Sequence, residues 1–262
     1  MSELSHTRTF RALSLDFWFT SLLHNAAEND SWKAARSNVL ARLLLPQDRE
    51  SFESHEIDAA VSRVDAELSH PGHPAEVCVD PGIRVAAYAM ALNATLTAPP
   101  EAAAQAFSDA GLRERPPRIN PELNRLLGPL TKKGIPVIAV TNTSRRGSTW
   151  RDFFDSQSFG PFREIVTSCE VGSAKPDPEI FRDAARRLDI PLESILHVGD
   201  RWEDDVVGAL AAGCGAALYR GLWNVYPQGM YPETDLRIAE GTDVLCIDHL
   251  EDLLDLDIWT AD

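Results

Sequence analysis

The chain has 262 residues, 44% hydrophobic and 25% charged, the composition of a globular protein with ample material for a core. Its 40 acidic and 25 basic side chains leave a formal charge of −15; phosphates would be repelled over most of such a surface, so no nucleic-acid partner is expected, whereas a small anion held locally with a metal is compatible. No basic segment followed by an apolar one opens the sequence, the longest apolar run (206–219) falls short of the roughly 18 residues that span a bilayer, and Cys78, Cys169, Cys214 and Cys246 form no CxxC, so a reduced, cytoplasmic protein without membrane partner, zinc or disulfides is expected.

The first strong segment, 11–17, carries the run Leu13-Ser14-Leu15-Asp16-Phe17 and reads as a buried strand. Between 31 and 45 the apolar residues Trp32, Ala35, Val39, Leu40 and Leu43 recur at helical spacing, and Pro46 ends the run. A second helical set follows at Ile57, Ala60, Val61, Val64 and Leu68, then a loop over 69–80 and further helical stretches over 83–96 and 101–110. From about Ile119 strands and helices alternate. Strands are expected at 135–141, 164–168, 194–199, 216–219 and 244–247, and helices at 121–133, 149–157, 178–188, 204–212 and 250–256. Such alternation implies a doubly wound parallel α/β sheet with right-handed crossovers. The expected division is an α/β core formed by 1–20 and 119–262 and an all-helical insertion over 21–118.

Ligands of such a sheet bind beyond the carboxyl ends of its strands. Asp16, Thr141-Asn142, Lys175 and Gly199-Asp200 all lie at or just after expected strands, so they converge on one point. A carboxylate, a hydroxyl, an ammonium and further carboxylates meeting there suit metal-assisted phosphoryl transfer. Asp16 would attack phosphorus. Thr141 and Lys175 would stabilise the charge on the phosphoryl oxygens. Asp200, with Asp204 or Asp205, would hold Mg²⁺, a hard ion that prefers oxygen ligands.

The four segments Asp16-Phe17-Trp18-Phe19-Thr20, Val137 through Asn142, Lys175-Pro176-Asp177-Pro178 and Val198-Gly199-Asp200 through Asp205 resemble, in order, the motifs of the haloacid dehalogenase-like (HAD) hydrolase superfamily. The resemblance covers 11–17 and 119–247 and implies a Rossmann-like core, a helical cap inserted after the first motif and Mg²⁺-dependent phosphatase activity on a small molecule. Carried over residue by residue, it implies Asp16, Thr141 and Lys175 as catalytic, and Trp18, Thr20 and Asn142 at the substrate. It implies a metal held by Asp16, the Trp18 backbone carbonyl, Asp200 and an aspartate after it, where the GDxxxxD spacing favours Asp205 over Asp204. A monomer or homodimer is expected.

One position departs from the pattern. Phosphatases of this superfamily carry a second aspartate two residues after the nucleophile, which protonates the leaving oxygen; here that residue is Trp18, whose indole N–H is no usable acid. General acid catalysis contributes typically 10²–10⁴-fold, about 3–5 kcal/mol of barrier. Three resolutions stand open: a substrate with a good leaving group, an acid supplied by His24, His55, His70 or His73 of the insertion, or attack of Asp16 on carbon as in the dehalogenase branch, which has an aromatic residue there. A catalytically impaired protein is the fourth. His70 and His73 form an HxxH, but in a Pro/Gly loop without the helical spacing of a zinc pair. Arg145 and Arg146, after the second motif, are expected as solvated loop residues.

Overall fold

The computed structural model describes residues 8–24, 26–48, 50–160, 162–221 and 244–260. In chain order its first half contains β1 (Ala12–Leu15), β2 (Leu22–Leu23), α1 (Ala26–Leu43), β3 (Leu44–Pro46), α2 (Ser54–Leu68), α3 (Ala75–Cys78), α4 (Pro81–Ala91), β4 (Ala94–Leu96), α5 (Pro100–Asp109) and β5 (Arg118–Ile119). The second half contains α6 (Glu122–Lys132), β6 (Val137–Thr141), α7 (Gly147–Ser156), β7 (Glu164–Thr167), α8 (Ser168–Val171), α9 (Pro178–Leu188), β8 (Ile195–Gly199), a π-helical turn (Trp202–Val207), α10 (Gly208–Ala212), β9 (Gly215–Tyr219), β10 (Leu245–Ile247) and a 3₁₀ turn (Leu250–Leu254).

Six strands form one sheet in the order β10-β9-β8-β1-β6-β7, parallel throughout. Every residue of β1, β6 and β8 is buried, as central parallel strands covered on both faces must be. Alternation along β1 sends Leu13 and Leu15 to a core with Leu123, Leu126, Trp150 and Phe154. It sends Ala12 to the opposite core with Ile138, Val140, Phe181 and Ala184. The strand order reverses at β1, whose neighbours β6 and β8 lead outward in opposite directions. The crevice beyond the carboxyl ends of these three strands is therefore where such a sheet binds ligands.

The chain leaves the sheet through β2 and returns through β5, which pair antiparallel. Between them α1, α2, α4 and α5 enclose an apolar cluster of their own, built on Leu40, Ile57, Val64, Val85, Tyr88 and Phe107. Two expected boundaries change here. The helix expected over 31–45 starts earlier, at Ala26, and the one expected over 83–96 stops at Ala91. Asn93 then takes φ 49°, a left-handed conformation that asparagine tolerates, and turns the chain into β4, which pairs antiparallel with β3. After β8 the expected helix is split. Its first part is a π turn, with Val206 N–H donating to Arg201 O, before α10 takes over.

Candidate active site

Asp16 lies one residue beyond β1, its main-chain N–H donating to Val198 O of β8 at 2.9 Å, and is 5% exposed. Lys175 sits in the turn before α9, which Asp177 opens as N-cap by accepting from Glu179 N and Pro178 begins. That turn is tied to the end of β6 by a reciprocal pair. Lys175 N–H donates to Asn142 Oδ1 (2.7 Å), and Asn142 Nδ2 donates to Lys175 O (2.9 Å). Asp205 comes from the π turn, where its Oδ2 accepts from Arg201 N at 2.9 Å. It lies directly over Gly199: a Cβ at that glycine would stand 2.1 Å from Asp205 Cγ, so no other residue fits.

Lys175 Nζ donates to Asp16 Oδ1 at 2.6 Å and to Asp205 Oδ1 at 2.5 Å. Beneath this bridge His197 of β8, wholly buried, places Nε2 at 3.1 Å from Asp205 Oδ1 and Nδ1 at 2.8 Å from Ser14 Oγ. A carboxylate only accepts, so Nε2 carries the proton; burial, reinforced by the Lys175 charge, pushes the ring below its ordinary pKa, so Nδ1 accepts from the Ser14 hydroxyl. Burial pushes the Asp16 carboxyl up to about 7, against the pull of Lys175 and with the push of Asp205. Burial also opposes ionisation of Asp205. The Lys175 charge and the His197 hydrogen bond outweigh it and hold this carboxyl below the usual range. Lys175, although buried, is held above its ordinary value by both carboxylates.

Asp16, Asp200 and Asp205 each bring a carboxylate oxygen within 4.8 Å of the others, the one such group of three or more ligating side chains among the described residues. All three are buried, and the ammonium of Lys175 bridges Asp16 and Asp205. Hard oxygen donors with surplus negative charge suit a divalent cation such as magnesium.

A cavity of about 310 Å³ opens over this group, walled by Trp18, Phe19, His24 and Asn142, with Arg201 and Asp204 also lining it. Trp18 Nε1 donates to Asn142 O at 3.2 Å, and the indole packs edge-on against Trp150 (centroids 5.3 Å) and His24 (4.8 Å). Its N–H already has a partner, so the side chain is a wall of the cavity and no acid.

Of the residues expected at the site, Asp16, Trp18, Asn142, Lys175, Asp200 and Asp205 line the cavity. Thr20 and Thr141 do not. Both are wholly buried, and neither hydroxyl finds a hydrogen-bond partner among the described residues. Thr20 is enclosed because the loop folds back tightly, Ser21 and Leu22 both donating to Phe17 O. Thr141 ends a strand covered on both faces. Asp204 is not in the carboxylate group; its side chain, 28% exposed, pairs with Arg201 at 2.9 Å. Of the four histidines considered, His24 lines the cavity, His55 is exposed, and His70 and His73 bond each other through the backbone while His73 reaches Asp177 at 3.3 Å.

Arg145 and Arg146 are not solvated, contrary to expectation. Arg145 is 3% exposed and donates to the carbonyls of Ser108 and Ala110, and Arg146 pairs with Asp80 and Glu101. Both join the core to the helical insertion, a contact no local pattern encodes. His197 and Ser14 also escaped sequence reasoning. Their signal was a polar residue in each of two otherwise apolar strands, which the register places side by side.

Comparison with known proteins gives a family and a fold for the chain. The family model described as haloacid dehalogenase-like hydrolase matches residues 23–213, beginning after Trp18. A glyceraldehyde 3-phosphate phosphatase of Methanopyrus kandleri is 37% identical over 95 residues, 36% of this chain and 38% of that one. The chain thus spans little more than a third of the length of the curated relatives it first matches. In fold it is similar to a 2-haloacid dehalogenase from Pseudomonas syringae pv. Tomato (TM-score 0.58, 21% identity, 94% of this chain and 97% of that chain). It is also similar to the HAD-hydrolase YfnB of Bacillus subtilis bound to magnesium (TM-score 0.53, 17% identity, 95% and 98%). With a family match over most of its length and a sheet of this topology, the chain belongs to the haloacid dehalogenase-like hydrolases.

Proposed function

We propose that the protein hydrolyses a small phosphorylated molecule through an aspartyl-phosphate at Asp16. The observation that carries this reading is the buried trio of carboxylates around Lys175 at the switch point of the sheet. Lys175 engages Asp16 Oδ1, which leaves Oδ2 to attack phosphorus as the bond to the leaving oxygen breaks. Water then attacks the acyl phosphate and frees Asp16. Lys175 balances charge on the nucleophile and on the phosphoryl oxygens. Thr141, with its unpartnered hydroxyl at the end of β6, donates to one of those oxygens once substrate is seated. Asp16, Asp200 and the Trp18 backbone carbonyl would hold Mg²⁺, with Asp205, both of whose oxygens are engaged, fixing Lys175. The ion would supply the positive charge that lets an anion approach three carboxylates. The helical insertion acts as a cap over the cavity.

With no acid at Trp18, negative charge on the leaving oxygen goes unrelieved. Acyl and aryl phosphates should therefore outrun alkyl phosphates by about 10²–10⁴. Phosphate release from all three classes, measured for the wild type and Asp16→Asn, tests the reading. The variant should keep the circular-dichroism spectrum and lose turnover; wild-type turnover by Asp16→Asn would refute the mechanism. A flat dependence on leaving group would assign the missing acid to His24, which shares the cavity wall with Trp18. The aromatic wall at Trp18 favours carbon–halogen hydrolysis as a second reading, recognised by halide release from 2-haloacids that a chelator leaves untouched.

A further inference from the structure

Three arginines, Arg36, Arg145 and Arg146, lie where the helical insertion meets the core, and a fourth, Arg84, shares the Phe107 ring with Arg36 inside the insertion. Two of them are neutralised. Arg84 meets Asp65 at 2.6 Å and donates to Tyr88, and Arg146 meets Asp80 at 2.7 Å and Glu101 at 2.5 Å. The other two, Arg36 and Arg145, form no ion pair among the described residues. Arg145 donates to the carbonyls at the end of α5, and its guanidinium lies over the Trp32 ring at 5.5 Å. Arg36 donates through Nη2 to Ser144 Oγ at 2.7 Å and stacks over Phe107, while its Nε is enclosed with no partner. Burial pulls both guanidiniums down, Arg36 to about 10, and each has another arginine's charge beside it.

Guanidinium cations do not neutralise themselves at ordinary pH; the half-buried Arg36 feels Glu76 and the buried Arg145 feels Asp109 and Glu114, but none of these carboxylates forms an ion pair with them among the described residues, so their charge is only partly offset. A ligand anion would supply the missing partner. Both arginines line a cavity of about 300 Å³, together with Lys33, and the single acidic residue in its wall, Glu76, offsets part of the Arg36 charge without forming an ion pair among the described residues. This cavity shares Trp18, His24 and Asn142 with the one over Asp16, so the two adjoin across the Trp18 indole. In a chain of net charge −15, such a positive pocket is a local reversal of sign.

We propose that this second cavity binds an acidic group at the far end of the substrate, a carboxylate or a second phosphate, with Arg36 in contact and Arg145 held behind it. The inference rests on the phosphoryl reading of the Asp16 site and narrows it to phosphorylated molecules that carry a second anion. Trp18 and Trp32, whose rings lie 5.8 Å apart, wall the path between the two anion sites.

Calorimetric titration in magnesium buffer tests it with unreactive probes: methylphosphonate, the carboxylated series phosphonoacetate, phosphonopropionate and phosphonobutyrate, and propylene bisphosphonate. At least one two-headed probe should bind the wild type more than about tenfold tighter than methylphosphonate, and whether the carboxylates or the bisphosphonate gain most identifies the second acid. Arg36→Ala should erase that margin and leave methylphosphonate affinity unchanged, while Arg36→Lys, which keeps the charge, should retain part of it. Equal affinity of all probes for the wild type, or a margin that survives in a folded Arg36→Ala, would overturn the inference and leave the phosphoryl reading standing. The wild-type comparison needs no variant to fold. Failure of every phosphonate, methylphosphonate included, would refute the phosphoryl reading and the inference with it.

Discussion

Thr141 holds a hydroxyl that no group among the described residues bonds, at the end of the strand that also delivers Asn142 to the cavity. A buried hydroxyl without a partner costs about 1–3 kcal/mol, a burden a purely structural residue would shed by becoming valine. Thr141→Val is therefore expected to melt no lower than the wild type, while phosphate release falls by about 10²–10³, the loss typical of removing one donor from a developing oxyanion. Thermal melts and initial rates on one aryl phosphate check both halves, and unchanged turnover would remove Thr141 from the mechanism. At this scale much of the site was legible. Asp16, Asn142 and Asp200 each follow a strand that apolar runs and Pro/Gly punctuation reveal, and Lys175 precedes a helix that Asp177-Pro178 announces. Phe19 was not legible: it adopts φ 58°, a left-handed conformation no bulky side chain announces, and does so with its ring buried beside His24. The GDxxxxD spacing favoured Asp205 over Asp204, but the π turn that carries Asp205 to the other two carboxylates was not legible.

Among the elements, α4 couples the helical insertion to the core. Its N-cap Asp80 accepts from Gly82 N at 2.7 Å and bonds Arg146, the residue before α7, at 2.7 and 2.8 Å. Burial would raise the Asp80 carboxyl, but the Arg146 hydrogen bonds and the Gly82 N–H prevail and hold it below its ordinary value. A carboxyl depressed on folding contributes stability that is fully present above its unfolded value of 3.8 and lost as pH falls through the lower folded value. Asparagine caps helices as well as aspartate, so Asp80→Asn removes the charge and keeps the cap. We expect the variant to be less stable by about 1 kcal/mol at pH 6, the scale of one charge-assisted bond near the surface. The gap should close as pH is lowered well below 4. Urea melts at the two pH values measure it, and a gap that stays constant with pH would show that the charge contributes nothing. Sequence periodicity found these helices but not what joins them. The strands β2 to β5, two or three residues each, are too short to leave an alternating pattern.

For the whole molecule, the regular alternation after Ile119 made the parallel sheet legible, since crossovers of that kind admit few topologies. The placement of the helical insertion over the sheet was not, because Arg145 meeting Ser108 and Thr149 meeting Asp109 link segments with no shared periodicity. The same scale carries a test of the charge balance at the site. Three buried carboxylates against one lysine make the folded chain a better ligand for a divalent cation than the unfolded chain, in which they are far apart. An ion that binds only the folded state stabilises it by RT ln(1 + [L]/Kd), about 2.7 kcal/mol at a hundredfold excess over Kd. In a chain near this size each kcal/mol moves the melting midpoint by about 2–4 °C, so saturating Mg²⁺ should raise it by roughly 5–10 °C. Part of any salt effect is screening of the net charge of −15, so the control is NaCl at matched ionic strength, which should produce a much smaller rise. Asp200→Ala should abolish the difference between the two salts. Equal shifts from MgCl₂ and NaCl in the wild type would mean that the trio does not select a divalent cation and that the Mg²⁺-dependent reading of this site is wrong.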